Sequence, residues 1–132
     1  AIERMEYRKG ILQTKTKAFA VRVVKLYQYL SQTKNEHVMS KQLLRSGTAI
    51  GALQREGEYA ESKLDFIHKY AIAQKECSES LYWLELLHET SYLSTEEYSS
   101  MFTDADEIMK LLTASICTAK TNHFITNPLI TN

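Results

Sequence analysis

Residues 40–86, SKQLLRSGTAIGALQREGEYAESKLDFIHKYAIAQKECSESLYWLEL, decide the fold. At about 100° per residue, Leu43, Leu44, Gly47, Ile50 and Gly51 fall on one side of a helix. A glycine inside a helix costs roughly 1 kcal/mol relative to alanine. Two of them at i and i+4 on the apolar face, Gly47 and Gly51, predict a neighbouring helix that comes close. The opposite side carries Lys41, Arg45, Thr48 and Arg55. The pattern weakens near Gly57. Ser62 followed by Asp65 then resembles a capping box that starts the next helix. No breaker follows until about Thr90. Phe66, Tyr70, Ala73, Cys77, Leu81 and Leu84 form one apolar stripe, and Leu64, Ile67, Ala71, Tyr82 and Leu86 form a second. Glu61, Asp65, Glu76 and Glu79 lie on a third side, with Ile72 and Trp83 among them. A helix apolar on two faces is buried on two sides. One stripe serves the core of the chain, and another copy of the chain is the simplest partner for the other.

Working outward, residues 1–13 show no clear period and read as a lead-in segment. Thr14 or Thr16 offers a cap for a first helix, whose stripe is Phe19, Val23, Leu26, Tyr27 and Leu30. Lys15, Arg22 and Lys25 lie beside that stripe. Residues 32–37, QTKNEH, read as a loop, and the second helix begins near Val38 or Ser40. Beyond residue 90, Ser94 and Glu97 make a clean capping box. Tyr98, Met101, Phe102, Ala105, Ile108, Met109, Leu112 and Ile116 repeat at helical spacing after it. The pattern fades near Lys120, and residues 121–132, TNHFITNPLITN, read as an irregular tail. The expectation is an all-α, antiparallel up-and-down four-helix bundle over residues 14–120 that assembles as a homo-oligomer.

A chain of 132 residues buries a core without disulfides or metals. One Pro and four Gly disfavour a turn-rich β fold. No run reaches the roughly 18 apolar residues of a membrane span. The opening AIERMEYRKG lacks the apolar core of a signal peptide. Cys77 and Cys117 have no CxxC spacing, which fits a reduced, cytoplasmic protein. The net charge of zero hides an asymmetry. Residues 1–55 hold 11 Lys and Arg against 3 Asp and Glu, whereas residues 56–132 hold 5 against 13. Basic helices either pack beside acidic ones, within or between chains, or present a surface to an anionic partner.

The sequence offers little catalytic chemistry. Glu85 with His88 and Asp65 with His68 have the i, i+3 spacing of di-metal bundles, but both pairs sit on one helix. No metal site or cofactor is expected. Residues 45–51, RSGTAIG, lack the Gly-Lys-Ser/Thr ending of a phosphate loop, and no Gly-x-Ser-x-Gly elbow occurs. Cys77 reads as a core thiol and Cys117 as its neighbour at the core's edge. Lys15, Arg22 and Lys25 on the first helix, with Lys41, Arg45 and Arg55 on the second, are the candidate nucleic-acid contacts. No aromatic platform for base stacking accompanies them.

The stretches SKQLLRSGTAI (40–50) and YAESKLDF (59–66), with KAFAVRVVKLYQYL (17–30) and AIAQKECSESLYWLELL (71–87), resemble a known family. It comprises the bacterial four-helix-bundle proteins encoded in intervening sequences of large-subunit ribosomal RNA genes. A related branch is the accessory protein of diversity-generating retroelements, a basic pentamer that binds nucleic acid. The resemblance implies a homopentameric barrel with no catalytic site. It also implies that Arg45, Arg55, Glu56, Glu61, Ser62, Asp65 and Glu76 make polar contacts between helices or subunits. Gly47, Gly51, Ile67, Tyr82 and Trp83 complete the expected helix or subunit contacts. Leu53 and Gln54 depart from the family pattern, which has Asn followed by an aliphatic residue. Two functions follow as expectations: a non-enzymatic oligomer that binds RNA or a nucleoprotein through the basic faces of the first two helices, or a purely structural interaction scaffold.

Overall fold

The structure, a computed structural model, describes residues 2–126. It consists of α1 (Ile2–Gln32), α2 (Met39–Glu58), α3 (Lys63–Glu89) and α4 (Thr95–Thr126). The pairs α1–α2, α2–α3, α3–α4 and α1–α4 pack together, and the diagonal pairs do not. Cross-helix contacts fix the directions. Thr16 faces Gly51 while Val23 faces Gly47, so α1 and α2 are antiparallel. Arg8 bonds Thr118 while Arg22 bonds Asp104, so α1 and α4 are antiparallel too. This is the expected up-and-down bundle.

The helix starts follow from local hydrogen bonding. Ser62 Oγ accepts from the Asp65 amide at 3.0 Å, and the Asp65 carboxylate reaches back to the Glu61 amide at 3.2 Å. The α4 box is fully reciprocal: Glu97 N–H donates to Ser94 Oγ at 3.1 Å, and Ser94 N–H donates to Glu97 Oε1 at 2.8 Å. Val38, at the start of α2, makes no side-chain cap. Buried Glu36 replaces it, accepting the amides of Val38, Met39 and Ser40 at 2.9, 2.9 and 2.8 Å. Burial alone would raise the Glu36 pKa, but these donors outweigh it and hold the carboxyl below its ordinary value.

Two expected boundaries move. Helix α1 begins at Ile2, so residues 2–13 are helix and not a lead-in segment. Its inner side there is built from Met5, Arg8, Lys9 and Leu12, whose charged heads hide the period while their stems cover the bundle. Thr14 and Thr16 do not cap. Their hydroxyls donate back to the carbonyls of Gly10 and Leu12, the mid-helix habit of threonine. Residues 121–126 continue α4, and the rest of the expected tail, residues 127–132, lies outside the described residues.

The core contains the predicted stripes: Phe19, Val23, Leu30, Leu43, Ile50, Phe66, Tyr70, Ala73, Cys77, Leu84, Met101, Ala105, Ile108, Leu112 and Ile116. Leu12, Leu87, Leu93 and Ala119 join it, whereas Leu26, Tyr27, Leu81, Tyr98 and Met109 of the expected stripes are only half-buried and Phe102 is exposed. Polar side chains enter where helices are closest. Gln54 Nε2 donates to Glu58 Oε1 at 2.7 Å and to Tyr70 Oη at 3.1 Å, and Tyr70 Oη donates to Glu58 Oε1 at 2.7 Å. Ser46 and Ser80 hydroxyls lie 2.9 Å apart between α2 and α3. A Cβ on Gly47 would stand 2.8 Å from Val23 Cγ2, and one on Gly57 would stand 2.6 Å from the Tyr70 ring.

Two tests follow. Gly57→Ala gains up to about 1 kcal/mol of helix propensity but overpacks a ring whose hydroxyl is held, so a net loss of about 1–2 kcal/mol is expected. Gly10→Ala meets nothing within 4 Å and should instead stabilise by roughly 0.5–1 kcal/mol. Urea unfolding of both variants checks the opposite signs. For Glu36, a depressed folded pKa means stability present above the unfolded value of about 4.3 and lost as pH falls through the folded value. Glu36→Gln should therefore cost about 1–2 kcal/mol at pH 7, with the gap to wild type closing below about pH 4. Urea midpoints measured for both proteins across that range would show a constant gap if the carboxylate played no part.

Candidate functional site

Helices α1 and α2 are basic, α3 and α4 acidic, and the bundle lays them side by side. Lys15 Nζ meets Glu107 at 2.9 Å, and Arg22 Nη1 meets Asp104 at 2.5 Å while its Nη2 donates to Ser100 Oγ at 2.9 Å. These pairs form a charged seam between α1 and α4. A second seam joins α2 to α3. Arg45 bridges Glu76 at 3.1 Å and also contacts Glu79, whose other donor is the Trp83 indole N–H at 3.0 Å. Trp83 and Arg45 together pull the Glu79 carboxyl below its ordinary range, and the bond to Glu79 raises Arg45 further above its own. At the far end of α2, Lys69 meets Glu56 at 3.0 Å. Half-exposed pairs of this kind contribute at most about 1 kcal/mol each. Their larger effect is on register and on which charges remain for a partner.

Of the six candidate nucleic-acid contacts, Lys15, Arg22 and Arg45 are engaged in these seams. Lys25, Lys41 and Arg55 are exposed and make no ion pair among the described residues. The six do not form one patch, because α1 directs its paired cations to α4 and α2 directs Arg45 to α3. The polar residues implied by the resemblance divide in the same way. Arg45 and Glu76 pair with each other, Glu56 pairs with Lys69, and Ser62 with Asp65 caps α3. Arg55, Glu56, Glu61 and Asp65 line a cleft of about 820 Å³ between α1, α2 and the start of α3, with Lys17, Gly51 and Tyr59.

The second stripe of α3 is discontinuous. Leu64 is 59% exposed and Tyr82 56%, but exposed Lys75 and Ser78 stand between them. Ile67 and Ala71 are half-buried against the core. Tyr82 packs edge-on against Trp83 with ring centroids 5.0 Å apart. The sequence reading missed a comparable outer strip on α1, where Val21 is 43% and Val24 37% exposed. The two valines sit beside the core stripe, and the sequence alone assigned them no side. Cys117 is exposed, not at the core's edge.

Among the described residues no group of three or more His, Cys, Asp or Glu side chains could hold a metal ion. His88 stacks on Tyr98 at 4.5 Å, and Glu85 is exposed. Burial, with the Asp106 charge, pushes the Cys77 thiol up to about 12, which removes it as a nucleophile at neutral pH. Among the described residues no helix is long and apolar enough to cross a membrane.

The model of the 23S rRNA-intervening sequence protein family matches residues 8–114. A crystal structure from Bacteroides thetaiotaomicron, of a protein with unknown function from the S23 ribosomal protein family, is 50% identical. The match covers 83% of this chain and 97% of that one, with a TM-score of 0.82. A search of curated proteins found no match. With the helices in the order the sequence requires and most of the chain matched, this chain belongs to the 23S rRNA-intervening sequence protein family.

Proposed function

We propose that this chain is a non-enzymatic, self-associating helical scaffold. The observation that carries the reading is the internal use of charge. Lys15, Arg22 and Arg45, half of the cations considered for nucleic acid, are spent on holding the chain's own helices in register. The charge asymmetry of the sequence thus serves packing within the chain. The apolar outer positions Leu64 and Tyr82 of α3 then supply a face for another copy, and five copies is the number the family resemblance implies. Unpaired Cys77 and Cys117 suit a reducing compartment such as the cytoplasm. A second reading, binding of structured RNA, rests on Lys25, Lys41 and Arg55, which retain free charge.

Light scattering at micromolar concentration separates the possibilities. The scaffold reading expects a discrete oligomer whose mass changes little with salt, because the ion pairs are internal and the contact faces apolar. Leu64→Asp with Tyr82→Glu should dissociate it while leaving helicity intact. A particle with the mass of a single chain would end the self-association reading. Filter binding to a structured RNA tests the second reading. Affinity that falls steeply with salt, and falls again in Lys25→Glu/Arg55→Glu, would favour RNA over the scaffold.

A further inference from the structure

We propose that the shallow groove along the outer side of α1, where it adjoins the α1–α2 cleft, docks an acidic amphipathic helix from a protein partner. This inference does not rest on self-association through α3. A shallow groove of about 360 Å³ is lined by Lys17, Ala20, Val21, Val24, Lys25 and Gln28. Through Lys17 and Ala20 it continues into the larger cleft, where Arg55 and Ala52 form the opposite wall. Its floor is apolar and made of small or β-branched side chains, so a helix backbone can come near.

The charge around the groove selects the occupant. Lys9, Lys15, Arg22, Arg45, Lys69 and Lys110 all have acidic partners within the chain. Lys17 and Lys25, which rim the groove beside its apolar floor, and Arg55, which lines the adjoining cleft, are among the cations that have none among the described residues. Lys17 and Lys25 are eight positions apart on one helix, roughly 12 Å along its axis. That spacing matches carboxylates at i and i+7 or i+8 on an opposing helix, whose apolar positions between them would cover Val21 and Val24. At the α3 end of the cleft, Glu61 and Asp65 repel an acidic chain and so set the limit of the docked segment. A phosphate backbone could use the three cations, yet it would leave both valines in water.

The test uses the intact chain and three fluorescent probes. The first is a synthetic helical peptide of about five turns, with Leu at i, i+3, i+4 and i+7 and Glu on both flanks. The second carries Lys in place of every Glu, and the third is an RNA hairpin. Anisotropy titration should show saturable binding of the Glu peptide, at least about tenfold tighter than the Lys peptide. Val21→Asp should abolish that binding without changing the far-ultraviolet circular dichroism. Lys17→Glu/Lys25→Glu should reverse the preference between the peptides, which a misfolded variant would not do. Equal binding of both peptides, or binding unaffected by Val21→Asp, would overturn the proposal. So would RNA displacing the Glu peptide from the wild type. A fall in particle mass caused by Val21→Asp would show that a second copy occupies the groove, and would overturn it too.

Discussion

The close approach of α2 to both of its neighbours is the constraint on which the structure depends. Gly47 admits Val23 from α1, Gly51 admits Thr16, and Gly57 admits the ring of Tyr70 from α3. Each glycine sacrifices helix propensity, and the loss is offset because the neighbouring helix packs against backbone instead of a side chain. Short separation has a second consequence. Polar groups on the facing sides are shut away from water and must find partners there. Thr16 bonds its own helix, Ser46 meets Ser80, and Gln54 joins Tyr70 and Glu58. The buried Gln54 amide is tolerable there because both partners are present. Tyr70 resists ionisation because burial raises its pKa and the bond to Glu58 raises it further, against the lowering effect of the Gln54 amide.

Close packing also decides where the charges go. With α2 held against α1 and α3, the basic and acidic halves of the chain lie in adjacent layers. Lys15 and Arg22 then face α4, and Arg45 faces α3. A charge asymmetry that reads in one dimension as either packing or a binding surface becomes, in three, a pair of seams. Among the cations left over are Lys17, Lys25, Lys41 and Arg55, on exposed positions of α1 and α2.

Much of this was legible in the sequence, because the strongest signals were periodic. The apolar stripes, the two capping boxes and the Gly47–Gly51 pair each have a fixed geometric meaning in a helix. What stayed hidden was information that depends on a partner residue. The N-terminal half of α1 buries itself with Arg8 and Lys9 stems, so its period is masked by charge. Thr14 and Thr16 serve a cap or a mid-helix bond equally well until the backbone before them is known. Glu36 lies in a polar loop, and only the fold shows that its carboxylate starts α2. The helix does end just after Gly57, as its pattern suggested, but that Gly57 is also a packing position was hidden, because its contact Tyr70 belongs to the next helix. For the candidate site the limit was sharper. Six basic residues could be named from their helical faces, but which of them are free depends on acids that are distant in sequence.

The outer strip of α1 carries this logic one step further. An exposed valine is ordinary on a protein surface. Val21 and Val24 are less ordinary because the bundle satisfies its core without them. Nor are they isolated: Lys17 and Lys25 beside them have no internal acid among the described residues. Selection for stability alone would act weakly at such positions, since an outward polar residue would serve the fold as well. Apolar floor and free charge together match a surface that is covered part of the time by something both apolar and acidic. Whatever this chain does is therefore to be sought on its outside, in the residues that its own packing leaves unused.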